Sequence, residues 1–151
     1  MAQTVRSITE LKRVFQNRAS YAAKLTRDEM FKVFQKHITE YYQEPVFHGS
    51  SIPKQYDRLY KMLNSLVKTD VTQSGSEISC RVEIDRDYLN YTYPEGATGL
   101  EVWEWANDNS HGGTVQGNLQ VWNDAIEELG GESGILSLMK QNLRKCGVPV
   151  L

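Results

Sequence analysis

The chain has 151 residues, 17 Lys/Arg against 19 Asp/Glu, a formal charge of −2 and a 40% hydrophobic content. That length fits one domain able to bury roughly 68–70% of its unfolded surface without a staple, and the near-neutral total excludes a global field for gripping nucleic acid. Its charge is uneven, with eight basic and four acidic residues over 1–40 against five and eleven over 81–151; this describes either ordinary solvated faces or a dipolar subunit that packs against copies of itself or charged neighbours.

The N-terminus MAQTVRSITELKRVF has no apolar core of signal-peptide length, and no run approaches 18 apolar residues. Cys80 and Cys146 are too few and too scattered for a disulfide framework and read as buried free thiols. Together these features describe a soluble protein made in a reducing cytoplasm.

Ser7 and Glu10 form a capping box, followed by a stripe of Ile8, Leu11, Val14, Phe15, Ala22 and Leu25. Thr26 and Glu29 form a second box, with Met30, Val33, Phe34, His37, Ile38 and Tyr41 behind it. With no Gly or Pro between them, one long helix from Ile8 to about Gln43 is expected, ended by Pro45. A loop, PVFHGSSIPK, separates it from QYDRLYKMLNSL.

The next stretch is a hairpin. Ile78, Cys80, Val82 and Ile84 alternate with Ser79, Arg81, Glu83 and Asp85, the period of a half-buried strand. Leu63, Ser65, Val67, Thr69 and Val71 are in phase on the first arm, and Gln73–Ser76 supplies the turn. Two strands alone are marginal in water, so flanking helices must cover their apolar face. RDYLNYTYPEG fits a third extended piece ending at Pro94, TGLEVWEWA a short helix with Leu100 and Trp103 on one side, and NDNSHGG a loop. Thr114–Gln116 is expected as a short strand.

Two helical patterns close the chain: Leu119, Trp122, Ala125, Ile126 and Leu129 before Gly130-Gly131, then Ile135, Leu136, Met139, Leu143 and Cys146 before a Gly147 cap and Pro149. The expected class is α+β: a long N-terminal helix, a small antiparallel sheet built on a central hairpin, and C-terminal helices packed on it, in a single domain over 1–151.

Reactive groups find no frame. His37, His48 and His111 stand alone, without HxxxH or CxxC spacing. His37 falls in the apolar stripe and reads as a core histidine. Glu83 and Asp85 share the wet face of a strand, with Asp87 nearby, as two carboxylates on a cation would need, but no strand motif with a lysine and further acid follows. No GxGxxG, GxxxxGK[ST] or GxSxG is present. The expectation is no catalysis, no metal and no cofactor. Aromatic content stands out instead: Tyr88, Tyr91, Tyr93, Trp103 and Trp105 lie within about twenty residues of one another, the residue types that subunit interfaces favour. On a helix, Trp103 and Trp105 cannot both face one core, so one is expected to be exposed or covered by a partner.

A helix ending in a Pro-rich loop leads to Pro53-x-x-Tyr56-x-Arg58-x-x-x-x-Leu63-x-x-Leu66 and a hairpin, then to a tyrosine-bearing segment, His111-Gly112-Gly113, and a last helix ending Gly147-Val148-Pro149-Val150. This order resembles the tail-completion (head–tail joining, minor tail component) proteins of tailed phages and prophages of Gram-positive bacteria. The resemblance implies a structural virion protein made in the host cytoplasm, six copies ringed at the head–tail junction, with genomic DNA passing through the lumen in transient non-specific contact. Its partners would be copies of itself, the tail terminator, the tail tube and the head connector, with no membrane. Subunit contacts are expected from Tyr56, Arg58, Trp103, Trp105 and His111, and a mild lumen lining from Lys12, Arg13 and Lys24. The rival readings are a small regulatory protein-binding module and a metal-dependent hydrolase using Glu83, Asp85 and His111.

Overall fold

The computed structural model of the chain describes residues 5–43, 61–92, 96–108 and 120–151. The expected long helix is one uninterrupted element, α1 (Ile8–Gln43). Its start is capped as the sequence suggests, the Ser7 hydroxyl accepting from the Glu10 N–H at 3.1 Å, while the Glu10 carboxylate reaches back to the Arg6 N–H at 2.8 Å. The Thr26/Glu29 box is not a second start. Thr26 sits in mid-helix and donates to the Ala22 carbonyl one turn back at 2.9 Å. Pro45, which was expected to end the helix, lies outside the described residues.

A short helix, α2 (Lys61–Asn64), feeds the hairpin, whose strands are β1 (Leu66–Lys68), β2 (Thr72–Ser74), β3 (Glu77–Ser79) and β4 (Val82–Ile84). They form two antiparallel ladders, β1 with β4 and β2 with β3. In the first, Leu66 faces Ile84 and Lys68 faces Val82; in the second, Thr72 faces Ser79 and Ser74 faces Glu77. Three residues (Thr69, Asp70, Val71) therefore oppose two (Cys80, Arg81), which is a β-bulge. The bulge is held on both sides of Thr69, whose N–H donates to the Arg81 carbonyl at 3.0 Å and whose hydroxyl accepts from the Arg81 N–H at 2.9 Å.

The extra residue corrects the expected facing of the first arm. Ile78, Cys80, Val82 and Ile84 keep their alternation and turn toward α1. Opposite them, Leu66 and Lys68 share that face before the bulge, and Gln73 after it. Val67 consequently lies on the other face beside Glu83. The in-phase series from Leu63 to Val71 is therefore not one face of the arm, since within β1 it is Leu66 and Lys68 that turn toward α1.

The proposed third extended piece is also corrected. After β4 the chain turns, the Asp85 carboxylate accepting from the Tyr88 N–H at 3.0 Å, and buries Leu89. Only an isolated bridge, Thr92 to Thr98, remains of extended pairing there. Residues 93–95 are not described.

Helix α3 (Gly99–Asp108) begins at a capping box, Thr98 and Glu101, each side chain accepting the other's N–H. Its first residue must be glycine, because a Cβ there would meet the Tyr91 ring at 2.5 Å and the Leu89 carbonyl at 2.7 Å. Helices α4 (Val121–Glu128) and α5 (Gly131–Lys145) follow, and α5 ends in a Schellman motif: the Val148 N–H reaches the Leu143 carbonyl and the Gly147 N–H that of Arg144, each at 2.9 Å. Leu119 and Thr114–Gln116 lie outside the described residues. Leu136, placed by the sequence in the apolar stripe of α5, is exposed.

Phe34 and Ile38 of α1 anchor the core, with Met62, Leu66, Leu89, Trp103, Ala106, Val121 and Ala125 around them. Trp122 lies against Phe34 at 4.1 Å and meets Trp103 edge-on at 6.1 Å. Three polar ties fix the outer elements to α1. Buried Arg27 donates to the Thr69 carbonyl at 2.6 Å and to Asp28, which also accepts from Lys68 of β1 at 2.9 Å. Asn142 of α5, fully buried, donates to Thr26 at 3.1 Å and Glu29 at 3.3 Å. Glu128 of α4 accepts from Lys36 at 2.8 Å and lies 2.7 Å from His37 Nε2. The architecture is thus α+β: helices on a small antiparallel hairpin sheet.

Candidate interaction surface

The register places Glu83 on the face turned away from α1, with Asp85 two residues on. Helix α3, packed on α2 and α4, stands across from β4, and between them lies a cleft of about 800 Å³ that takes in both faces of the strand. The apolar part of its lining comes from Val67, Val82, Ile84, Leu100, Trp103 and Trp122. Four carboxylates (Glu83, Asp85, Asp87, Glu104) stand against one cation, Arg86. The far end is closed by Asn107, whose carbonyl oxygen accepts from the Trp122 N–H at 3.0 Å and so joins α3 to the start of α4.

Little chemistry is available in this arrangement. Asp85 is committed to its turn. Among the described residues no group of three or more His, Cys, Asp or Glu is placed to hold a metal ion. His111, the third member of the rival hydrolase set, lies outside them. A second, apolar groove of about 520 Å³ runs between α5 and the hairpin, lined by Ala23, Met30, Ile78, Cys80, Ile135 and Met139 among others. Burial pushes the Cys80 thiol up, and its Sγ lies 3.6 Å from the Ala23 carbonyl. A thiol held protonated is a small hydrophobe, not a nucleophile. His37, expected in the core, is half-buried and tied to the α4 carboxylate of Glu128. The Lys36 bond first, and His37 second, hold the Glu128 carboxyl below its ordinary value.

The other exposed feature is the beginning of α1. Gln16 reaches the Gly75 carbonyl at the hairpin tip (3.3 Å), and Arg18 reaches the Gly147 carbonyl at the end of α5 (3.2 Å). Beyond these anchors residues 8–15 continue for about 12 Å at 1.5 Å per residue. There Ile8 is 87% and Leu11 41% exposed, beside exposed Lys12 and Arg13.

The residues singled out from sequence fall in different places. Trp103 is 8% exposed and belongs to the core, with its remaining surface lining the cleft, whereas Trp105 is 37% exposed on α3. Lys12, Arg13 and Lys24 are all exposed. At 100° per residue Arg13 and Lys24 lie within about 20° of each other, and Lys12 stands roughly 100° away from Arg13, so the three do not make one basic stripe. Tyr56, Arg58 and His111 lie outside the described residues. The sequence reading missed the partnership of the Glu83–Asp87 acids with Glu104. Its signal was the wet-face alternation of β4 together with the i, i+4 pair Leu100 and Glu104, but the placement of α3 across from β4 was needed to join them.

Among the described residues no helix is long and apolar enough to cross a membrane. A family model described as YomN matches residues 7–145. No curated protein and no solved structure matches the chain.

Proposed function

From the premise that the chain belongs to the YomN family, a phage-associated family, we propose that it is a structural protein of a tailed-phage particle, six copies forming a ring at the head–tail junction through which DNA passes. The observation that carries this reading is the extent of the match. It runs from the cap of α1 to the end of α5, so the family unit includes the long helix, the hairpin and the C-terminal helices together. The exposed apolar and basic start of α1, the exposed Trp105 and the acidic cleft support a subunit that works by adhesion to neighbours and carries out no reaction. A dispersed set of exposed cations at Lys12, Arg13 and Lys24 suits a lumen that must let DNA slide, since many aligned phosphate contacts would bind tightly and with steep salt dependence.

The test is genetic and structural. Deleting the gene from a phage that carries it is expected to give DNA-filled heads and unattached tails, and gold-labelled antibody on complete particles to mark the neck. Normal infectious particles from the deletion strain, with no trace of the protein in wild-type particles by mass spectrometry, would refute the reading. The cleft also favours a second reading, a small regulatory module that captures one basic protein partner. This reading requires a stable monomer or dimer and a single high-affinity partner in the host.

A further inference from the structure

The start of α1 and the α3–β4 cleft are complementary in shape and charge. The first is a convex helical turn led by two exposed aliphatic side chains, Ile8 and Leu11, with Arg6, Lys12 and Arg13 against the single acid Glu10. The positive end of the helix dipole adds to this charge. The second is concave, with an apolar lining and four carboxylates against one arginine.

They cannot meet within one molecule. Trp122, which lines the cleft, packs on Phe34 at 4.1 Å, and Phe34 stands 26 residues along α1 from Ile8, roughly 40 Å at the helical rise. Whatever occupies the cleft in this manner belongs to another copy. Two different patches joined in this way form a head-to-tail contact, which closes into a ring when the rotation between copies permits. Like-charge juxtaposition disfavours a contact of cleft with cleft or of helix end with helix end.

We propose that the N-terminal turns of α1, with Ile8 and Leu11 leading and Lys12 and Arg13 flanking, seat in the α3–β4 cleft of the neighbouring copy. This rests on the ring reading above and names the two surfaces that make it. Exposed apolar residues on a soluble chain are ordinary when single. Here, however, Ile8 and Leu11 share one side of the turn, with Lys12 about 40° from Ile8 and Arg13 on the far side, the composition of an interface centre with a charged rim.

The experiment uses the full chain and two charge-reversed forms. One carries Lys12→Glu and Arg13→Glu, the other Asp87→Lys and Glu104→Lys; all four positions are exposed, and circular dichroism checks that each form is folded. In sedimentation velocity over a concentration series, the wild-type chain is expected to self-associate. Each reversed form alone should do so about tenfold more weakly or worse, as like-charge juxtaposition at the contact implies. An equimolar mixture should recover association, because each form's helix end then meets the other's cleft with opposite charge. A photo-crosslinking residue in place of Ile8 should join to peptides within 82–87 or 100–107 of a second, isotopically distinct chain. If the wild type assembles and both reversed forms assemble equally well, or if the crosslink maps elsewhere, the docking is wrong while the ring reading stands. A wild-type chain that stays monomeric throughout overturns the docking, and neck labelling of particles then decides the ring by itself.

Discussion

Replacing Asn142 with aspartate tests how α5 is held to α1 while leaving shape and volume untouched. The asparagine Nδ2 donates to Thr26 Oγ1 and Glu29 Oε1, and the side chain is fully buried. In Asn142→Asp that donor becomes a second carboxylate oxygen facing Glu29. Lys145, 3.5 Å from the Asn142 side-chain oxygen, offsets part of the new charge, but the oxygen that replaces Nδ2 still faces Glu29. Loss of a bond to a charged acceptor removes about 1.5–3 kcal/mol, and stranding a buried charge raises the total to about 3–5 kcal/mol. With a urea m-value of about 2 kcal/mol/M, the midpoint should fall by roughly 2 M at neutral pH. The new carboxyl has a folded-state pKa raised above its unfolded value, so the native state binds the extra proton. The penalty is therefore absent below about pH 4 and grows as pH rises through the window between the two values. Urea melts of wild type, Asn142→Asp and Asn142→Ala at acid and neutral pH measure this. If Asn142→Asp is destabilised by less than about 1 kcal/mol at neutral pH, or is indifferent to pH, the buried polar tie does not act as described.

Gly134→Ala should lower the melting temperature even though alanine gains about 1 kcal/mol of helix propensity, because its Cβ would collide with the Leu129 carbonyl at the α4–α5 corner; a scanning calorimetry rise would refute the close approach. The Lys68 hydrogen bond first, and Arg27 after it, hold the Asp28 carboxyl below its ordinary value against the opposing effect of burial. Its contribution is thus present above about pH 4 and lost as pH falls through the depressed value, and Asp28→Asn should flatten the acid limb of a thermal stability–pH curve. Trp103→Ala should cost about 3–5 kcal/mol as a core truncation, whereas Trp105→Ala should stay within about 0.5 kcal/mol in chemical denaturation and show its effect in assembly.

The elements whose signals are local were legible in the sequence. A capping serine, an unbroken run of helix formers and a glycine before Pro149 set the ends of α1 and α5, and both ends lie where the residues indicate. The separation of the two tryptophans also followed from helical geometry alone. What escaped depended on partners distant in the chain. The bulge at Thr69 is a mismatch between two arms, and no property of either arm by itself reveals it. Leu136 continues the apolar spacing of α5, yet the described elements leave it uncovered. Likewise the tyrosines after β4 have strand propensity, but the Asp85 carboxylate captures the Tyr88 N–H and the chain turns. For the cleft, each acid was visible singly, and only the placement of α3 across from β4, set by its packing on α2 and α4, gathers them.

The offset at Thr69–Val71 also makes the hairpin unequally tolerant of changes in length. Deleting one residue there would restore simple pairing, with Lys68 and Gln73 then four apart and still on one side, and would cost only the local twist that the bulge gives. An added residue at the Gly75-Ser76 tip would leave both ladders in register. Single-residue deletions recovered from random libraries should therefore fall within 69–71 and insertions at the tip, with deletions missing from the paired residues on either side.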